Sequence, residues 1–142
     1  MKLEITNKPS AEKSKIISEG LRDYNKKYSS GTHELLAIYA QNDSQTTIGG
    51  LTGVTFGCWL HIEMLWVQEA YRGTSVGRKI LVAAEQEAVR RGCFNSTLDT
   101  YCFQALEFYL KLGYSEFGSL KGYAGKYERH FLQKRLSSEK IN

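Results

Sequence analysis

The chain has 142 residues, a length typical of one folded domain. Hydrophobic residues make up 42% and charged residues 24% of it, which excludes the charged, weakly hydrophobic composition of disordered chains. The net charge of +4, from 19 basic and 15 acidic residues spread along the chain, is a weak excess for a dedicated nucleic-acid-binding protein but suits a small anionic ligand. We therefore expect residues 1–142 to form a single domain.

The sequence gives no signal for a membrane span, a secretion signal or a metal site. No apolar run approaches the roughly 18 residues that cross a membrane, and residues 1–7 lack the apolar segment of a signal peptide. The three cysteines, Cys58, Cys93 and Cys102, are an odd number and form no CxxC pair, which argues against a disulfide framework and a zinc ribbon. We expect a cytoplasmic protein with no metal, no membrane partner and no nucleic-acid partner.

The first half of the chain predicts a short strand, a helix and a meander of strands. Residues 2–6 alternate like a strand, and a helix of about three turns is expected after Pro9-Ser10. Residues 25–32 are polar and predict a loop or a broken second helix. Three β-prone runs predict antiparallel strands over 33–41, 46–56 and 59–67.

The second half alternates helices and strands. Residues 76–91 carry apolar side chains four positions apart and end at Gly92, which predicts the clearest helix of the chain. A mixed sheet with helices on its faces is the natural packing of this order of elements. The remaining elements are expected as a strand over 94–100, a short helix over 104–112, a last strand over 127–136 and a further candidate strand over 115–120.

Residues 65–78 lead from a β-run through a turn that contains Gly73 into the clearest helix. Such a turn leaves backbone N–H groups unpaired at the positive end of the helix, which favours an anion such as pyrophosphate. Gly73 allows a positive φ, and Gly77 allows a close approach of the first helical turn. Arg72 and Arg78 add positive charge. The alternative interpretation is an ordinary strand, turn and helix with solvated basic residues.

Two other nucleotide-binding motifs fit this segment less well. A Walker loop would end in Gly-Lys-Ser/Thr, whereas Gly77 is followed by Arg-Lys-Ile. A Rossmann loop would need G-x-G-x-x-G near the first strand, inside a repeating βαβ pattern. Neither condition is met.

Two motifs resemble the GNAT superfamily of N-acetyltransferases. Residues 72–77 are similar to its acetyl-CoA signature, Gln/Arg-x-x-Gly-x-Gly/Ala. Arg72 and Gly77 match two of the three defined positions, and Ser75 stands where a glycine is usual. Residues 105–114 resemble the late helix of the family, with its Ala-x-x-Phe/Leu-Tyr pattern and terminal Gly-Phe/Tyr.

The resemblance implies an α/β (α+β) single-domain fold with a mixed, mostly antiparallel central sheet, a splayed strand pair and helices on both faces. It implies acetyl-CoA as the acyl donor, with no metal. Cys102 stands where many members have an asparagine that contacts the pantetheine arm, so this contact is not transferred. The cofactor-binding positions that match the family are Leu65, Trp66 and Val67 of the splayed strand, through their main chain, and Arg72, Gly73, Thr74, Ser75, Val76, Gly77 and Arg78 of the loop and helix start.

Acetyl transfer to an amine requires a neutral nucleophile, because an alkylammonium with a pKa of about 10.4 has almost no free amine at pH 7. Glu63 lies on the same strand face as Val67 by the period of two and is the first candidate for the base. His61 shares that face, and imidazole is a common general base, which makes it a second candidate, and water is a third. Each side chain also suits an ordinary exposed strand position.

Tyr109 matches the tyrosine of the family's late helix, whose phenol often protonates or hydrogen-bonds the leaving thiolate. Its place in an apolar stripe also suits a core residue. No cysteine has an obvious base beside it in the sequence, so we expect direct attack by the amine in a ternary complex rather than an acyl-cysteine route.

The expected function is transfer of an acetyl group from acetyl-CoA to a primary amine of a small molecule or of a protein or peptide. The alternative is a noncatalytic acyl-CoA-binding or sensor module of the same fold. The acceptor stays open among polyamines, aminoglycoside-like or other small amines, amino acids and protein termini, and a homodimer is an open alternative to a monomer. Acidic and aromatic side chains suited to a cationic amine are Glu34, Asp43, Glu63, Asp99, Tyr24, Tyr28, Trp59, Tyr101 and Phe103.

Overall fold

The structure, a computed structural model, describes residues 1–29 and 31–137. It divides into two compact units, Met1–Gly31 and Thr32–Asn142. A 3-10 turn over Glu69–Tyr71 precedes the second helix. In chain order the elements are α1 (Ala11–Asn25), β1 (Glu34–Gln41), β2 (Thr47–Phe56), β3 (Trp59–Val67), α2 (Val76–Arg90), β4 (Asn95–Tyr101), α3 (Leu106–Lys111), β5 (Ser115–Tyr123) and β6 (Tyr127–Arg135).

The first unit contains helix α1. Ser10 caps the helix, because its side-chain oxygen accepts a hydrogen bond from the Lys13 N–H at 3.2 Å. The strand expected over residues 2–6 is absent, and this prediction is wrong. Alternation of side chains is not sufficient for a strand, because a strand also needs a partner, and within the described part of this unit no second extended segment pairs with these residues.

The second unit is built on a six-stranded sheet with the order β1-β2-β3-β4-β6-β5. Neighbouring strands pair antiparallel, with the exception of β3 and β4, which are parallel. The prediction of a mixed, mostly antiparallel sheet is therefore confirmed. The candidate strand over 115–120 is present as the edge strand β5.

Strands β3 and β4 separate soon after they begin to pair. Their register covers Trp59, Leu60 and His61 of β3 against Asn95–Thr97 of β4. Strand β3 continues to Val67, and β4 continues to Tyr101. The second halves of the two strands are therefore unpaired with each other, and this is the splayed pair that the family resemblance implies.

Helix α2 supplies much of the core of the second unit. Its buried apolar residues recur four positions apart and pack against β1, β2 and β3, as the sequence spacing predicts. Helix α3 contributes Tyr109 to the same core. The buried apolar residues of α2 are Ile80, Leu81, Ala84 and Ala88.

A buried polar cluster connects α2 to the sheet. The Tyr114 hydroxyl donates to Glu85 Oε2 at 3.1 Å and lies 2.8 Å from Ser96 Oγ. Lys134 Nζ lies 3.0 Å from the same Glu85 oxygen. Burial raises the pKa of the Tyr114 phenol, so the hydroxyl stays protonated and keeps its donor role. Each polar group of this cluster has a partner, which is what burial of such groups requires.

Among the helices that the structure describes, none is long and apolar enough to cross a membrane.

Candidate active site

A cleft of about 830 Å³ opens where β3 and β4 diverge. Its walls are the second half of β3, the loop that leads into α2, the end of β4 and the start of α3. The sequence-predicted site residues that line it are Glu63, Leu65, Trp66, Val67, Arg72, Gly73, Thr74, Gly77 and Tyr109.

Four other sequence candidates lie outside the cleft wall. Val76 packs against the hydrophobic core, and Arg78 is exposed on the first turn of α2. Ser75 is the N-cap residue of α2. His61, the second candidate for the base, is exposed on β3 and does not line the cleft.

A β-bulge in β3 determines how Glu63 is presented. Thr52 pairs with Met64 and Gly53 pairs with Ile62, so Glu63 is the extra residue. Glu63 and Met64 are both exposed, which interrupts the in-and-out alternation of the strand. A bulge redirects side chains, and here it brings the Glu63 carboxylate to the cleft. Among residues 1–29 and 31–137, this carboxylate has no hydrogen-bond or ion-pair partner.

The residue opposite the bulge is Gly53 of β2. A Cβ atom at this position would overlap the carbonyl oxygen of His61 and would also contact Ile62 Cα at 3.4 Å. Both obstacles are backbone atoms, which cannot rotate away like a side chain. The bulge geometry therefore requires glycine at position 53.

The loop before α2 contains the positive φ that the sequence predicts at Gly73. Gly73 has a φ of +73°, a value that side chains disfavour. Ser75 has a φ of −78°, which any residue adopts, so a serine in place of the family's glycine needs no strained backbone. The Ser75 side chain makes no capping hydrogen bond. The Val76 N–H donates to Thr74 Oγ1 at 3.4 Å, and Ser75 engages none of the other N–H groups at this helix start.

Several N–H groups at this position have no acceptor within the part of the chain that the structure describes. They belong to Gly73 and Thr74 in the loop and to Gly77 and Arg78 in the first turn. The Arg78 guanidinium and the Lys79 ammonium are exposed and pair with no carboxylate in the described ranges. Unpaired N–H groups, the helix dipole and two cations together favour a phosphate-bearing ligand.

Arg72 holds the loop against the end of β3. Its Nε donates to the Val67 carbonyl at 2.8 Å. This bond occupies one of the main-chain acceptors that sequence analysis assigns to the pantetheine. Arg72 therefore fixes the loop geometry, while Leu65 and Trp66 lie in the half of β3 that is unpaired with β4.

Tyr109 lies at the inner wall of the cleft with 6% of its surface exposed. Its ring makes edge contacts with Phe108 and Tyr114, at centroid distances of 5.1 and 5.8 Å. Burial raises the pKa of the phenol to about 12. The hydroxyl is therefore neutral and able to donate a hydrogen bond throughout the physiological pH range.

Residues 3–114 match the model of the Acetyltransferase (GNAT) family. The chain belongs to the GNAT acetyltransferase family. It is 34% identical over 137 residues to Acetyltransferase Atu2258 of Agrobacterium fabrum, an alignment that covers 96% of this chain and 100% of that protein. It is 36% identical over 104 residues to the blasticidin-S acetyltransferase of Streptomyces morookaense, with 72% of this chain and 76% of that protein covered.

The crystal structure of an acetyltransferase from Bacillus cereus superposes with a TM-score of 0.83 at 29% identity and covers 93% of this chain and 97% of that one. These relatives show that the protein is an acetyl-CoA-dependent N-acetyltransferase. They favour the catalytic expectation over a noncatalytic acyl-CoA-binding module.

The cleft fits acetyl-CoA, the acyl donor of GNAT acetyltransferases. The unpaired N–H groups of Gly73, Thr74, Gly77 and Arg78 suit its pyrophosphate. The edge of β3 that is unpaired with β4 suits the amides of its pantetheine arm. Among the described residues, no group of His, Cys, Asp or Glu side chains has the arrangement of a metal site.

Gln104 is a cleft residue that the sequence motifs did not indicate. Many GNAT members have an asparagine at the position of Cys102. Here the Cys102 N–H donates to the Glu128 carbonyl at 3.0 Å. Gln104 lines the cleft instead. Its Oε1 accepts from the Tyr101 N–H at 2.8 Å and the Thr100 hydroxyl at 3.2 Å, which leaves its amide N–H groups as donors. A polar side chain two positions after Cys102 was the signal in the sequence.

The acceptor candidates separate into two sets. Glu63, Asp99, Tyr101 and Phe103 line the cleft. The candidates of the second unit that do not line it are Glu34, Asp43 and Trp59, while Tyr24 and Tyr28 belong to the first unit.

Proposed function

We propose that the protein acetylates the primary amine of a small molecule by direct attack in a ternary complex. Bound acetyl-CoA supplies a thioester whose C–S bond breaks as the C–N bond to the amine forms. The observation that carries the proposal is a single cleft in which unpaired N–H groups and the unpaired Glu63 carboxylate occur together. The proposal includes a single cytoplasmic domain over residues 1–142 that has no nucleic-acid or membrane partner. The homodimer stays an open prediction.

Glu63 accepts the proton that the amine must lose. A base needs an accessible, unengaged lone pair near the reacting nitrogen, and the Glu63 carboxylate faces the cleft without a partner among the described residues. His61 is exposed away from the cleft wall, which favours Glu63 over it.

Tyr109 stabilises the charge that develops on the leaving sulfur by donating a hydrogen bond. Its pKa of about 12 lies above the roughly 8.5 of a thiol, so full proton transfer from the phenol to a thiolate would be unfavourable. A neutral donor fixed in a buried wall stabilises charge without reorganisation. The sulfur then takes its proton from solvent.

A small molecule is favoured over a protein acceptor. The cleft is a concave site between β3 and β4 rather than a flat surface, which suits a small molecule. The relative from Streptomyces morookaense is a blasticidin-S acetyltransferase, which makes blasticidin S one of the amines to test.

The test is thiol release from acetyl-CoA with a panel of amines that includes blasticidin S, a polyamine, an aminoglycoside, an amino acid and a peptide. We expect turnover that depends on the amine. Glu63→Gln should lower kcat by about 10²-fold or more, with acetyl-CoA affinity nearly unchanged and the acidic limb of the pH–rate profile altered. Asp43→Asn, in an exposed turn, is the matched control.

Two results would contradict the proposal. Wild-type turnover and an unchanged acidic limb in Glu63→Gln would assign the proton to water or to His61. Acetyl-CoA binding with no turnover on any amine of the panel would refute the assignment of a small-amine substrate.

A further inference from the structure

Aromatic side chains line the cleft in addition to Glu63 and Tyr109. Phe103, in the loop between β4 and α3, has 60% of its surface exposed, and Trp66 on β3 has 53%. The Tyr101 ring stacks on Phe103 with a centroid distance of 5.3 Å and an interplanar angle of 12°. Large aromatic surface held open inside a concave site indicates a ligand that covers it.

These rings are fixed in position before any ligand binds. Tyr127 makes an edge contact with Phe103 at 4.7 Å, and Tyr123 makes one with Tyr101 at 5.3 Å. Such contacts hold Phe103 in the exposed orientation without burying it. A preformed aromatic face loses little conformational freedom when a second ring stacks on it.

The charges in the cleft favour an acceptor with one amino group over an acceptor with several. The carboxylates that line the cleft are Glu63 and Asp99. Asp99 Oδ2 accepts from Arg129 Nε at 2.6 Å, and this pairing raises the pKa of the Arg129 guanidinium, so the Asp99 charge is neutralised. Within the described ranges, Glu63 is thus the one lining carboxylate without a basic partner. A saturated polycation would require more free carboxylates than this wall offers.

We infer that the acceptor is a primary alkylamine that bears a planar aromatic ring, with the ring stacked on Phe103 and the amine directed to Glu63. The inference rests on the proposed function and names the substrate class of the same site. It selects aromatic monoamines over the saturated polyamines and aminoglycosides that the sequence left open.

The experiment compares two amines that differ in aromaticity, phenethylamine and 2-cyclohexylethylamine, with spermidine as the polycation. A saturated cation also gains from an aromatic face, so the matched pair isolates ring stacking from charge. We expect kcat/KM for phenethylamine to exceed that for 2-cyclohexylethylamine about 3- to 10-fold, the range that one aromatic contact contributes. Equilibrium binding of both amines to the protein with coenzyme A, measured by calorimetry, should show the same ratio without requiring turnover.

Three variants locate the effect. Phe103→Leu should reduce the ratio to about 1, with acetyl-CoA affinity unchanged, and Phe103→Tyr should retain it because the ring is kept. Phe117→Leu, an exposed phenylalanine of β5 outside the cleft, should leave the ratio unchanged.

The outcomes separate the inference from the proposed function. Turnover with equal kcat/KM for both amines, or with spermidine preferred, would overturn the aromatic class while the proposed function stands. No turnover with any amine, together with a preserved binding ratio that Phe103→Leu removes, would support the aromatic site and contradict the proposed function. Equal binding of the two amines to the wild-type protein would overturn the inference in either case.

Discussion

The glycine opposite the β3 bulge offers a direct test of how the backbone positions the base. In Gly53→Ala the new Cβ would lie inside the 3.0 Å that Cβ atoms keep from other atoms, against the His61 carbonyl oxygen. Removing this overlap requires β3 to shift by on the order of 0.5–1 Å, because the obstacle is a backbone atom. Overpacking of this kind costs about 1–3 kcal/mol of the free energy of unfolding. A displacement of about 1 Å at a reacting group lowers the rate by about 10²-fold.

Three measurements check this prediction: urea unfolding, kcat with an accepted amine, and acetyl-CoA affinity by calorimetry. We expect kcat to fall far more than acetyl-CoA affinity, because the phosphate-binding N–H groups lie in a different wall of the cleft. Gly50→Ala is the matched control. Its Cβ would lie 2.6 Å from the Ile38 carbonyl oxygen of β1, so it should lose similar stability while kcat stays within about threefold.

Gly118→Ala is a second control, because a Cβ at that position has no neighbour within 4 Å among the described residues and its stability should be unchanged or slightly higher. A free energy of unfolding and a kcat equal to those of the wild type in Gly53→Ala would contradict the prediction. It is also refuted if Gly50→Ala loses as much kcat as Gly53→Ala, since the loss would then reflect general weakening of β2.

Three further predictions concern the phosphate site, the phenol and the buried polar cluster. Gly77→Glu should abolish acetyl-CoA binding measured by calorimetry, because the new carboxylate enters the cleft at the helix start. The far-UV circular dichroism should be unchanged, because a Cβ at position 77 has ordinary contacts of 3.4 to 3.6 Å with Phe108 and Val67. Gln86→Glu adds the same charge to an exposed position of α2 and should bind normally. Tyr109→Phe should lower kcat about 10-fold or more. Neither limb of the pH–rate profile should move below about pH 10, because burial raises the pKa of the phenol to about 12. A displaced alkaline limb would contradict this and make Tyr109 a titrating acid. Tyr114→Phe should cost about 1–3 kcal/mol in urea unfolding, because Glu85 and Ser96 each lose a buried partner, whereas Tyr39→Phe, at an exposed position, should cost nothing measurable.

The sequence predicted those elements whose pattern is local. Four-residue spacing defined α2 to within one residue of its end, and the bounds of β3 agree with the predicted run over 59–67. The prediction of a strand over residues 2–6 was wrong because strand formation is not local. Alternation indicates which face a side chain would occupy but not whether a neighbouring strand is there to pair.

The candidate site was predictable to the extent that family motifs mark it. The loop from Arg72 to Gly77 and the late helix with Tyr109 carry recognisable patterns. Of these residues, Arg72, Gly73, Thr74, Gly77 and Tyr109 line the cleft. Gln104 was missed because its place in the cleft wall is set by the turn after β4, where its Oε1 accepts from the Tyr101 N–H and the Thr100 hydroxyl, and this turn carries no recognisable pattern. Tyr101 and Phe103 were candidates from the sequence, whereas their edge contacts with Tyr123 and Tyr127 were not predicted. The stacking of Tyr101 on Phe103 follows from loop geometry that no periodicity encodes.

The placement of Glu63 and the opening of the cleft have a common structural origin. Pairing between β3 and β4 ends at His61, and the bulge begins one residue later. A bulge bends its strand and increases the local twist, so the bulge that presents Glu63 also turns the rest of β3 away from β4. The exposed edge that suits the pantetheine and the carboxylate that suits the amine are therefore consequences of one irregularity. That irregularity depends on a backbone approach which only a glycine at position 53 permits.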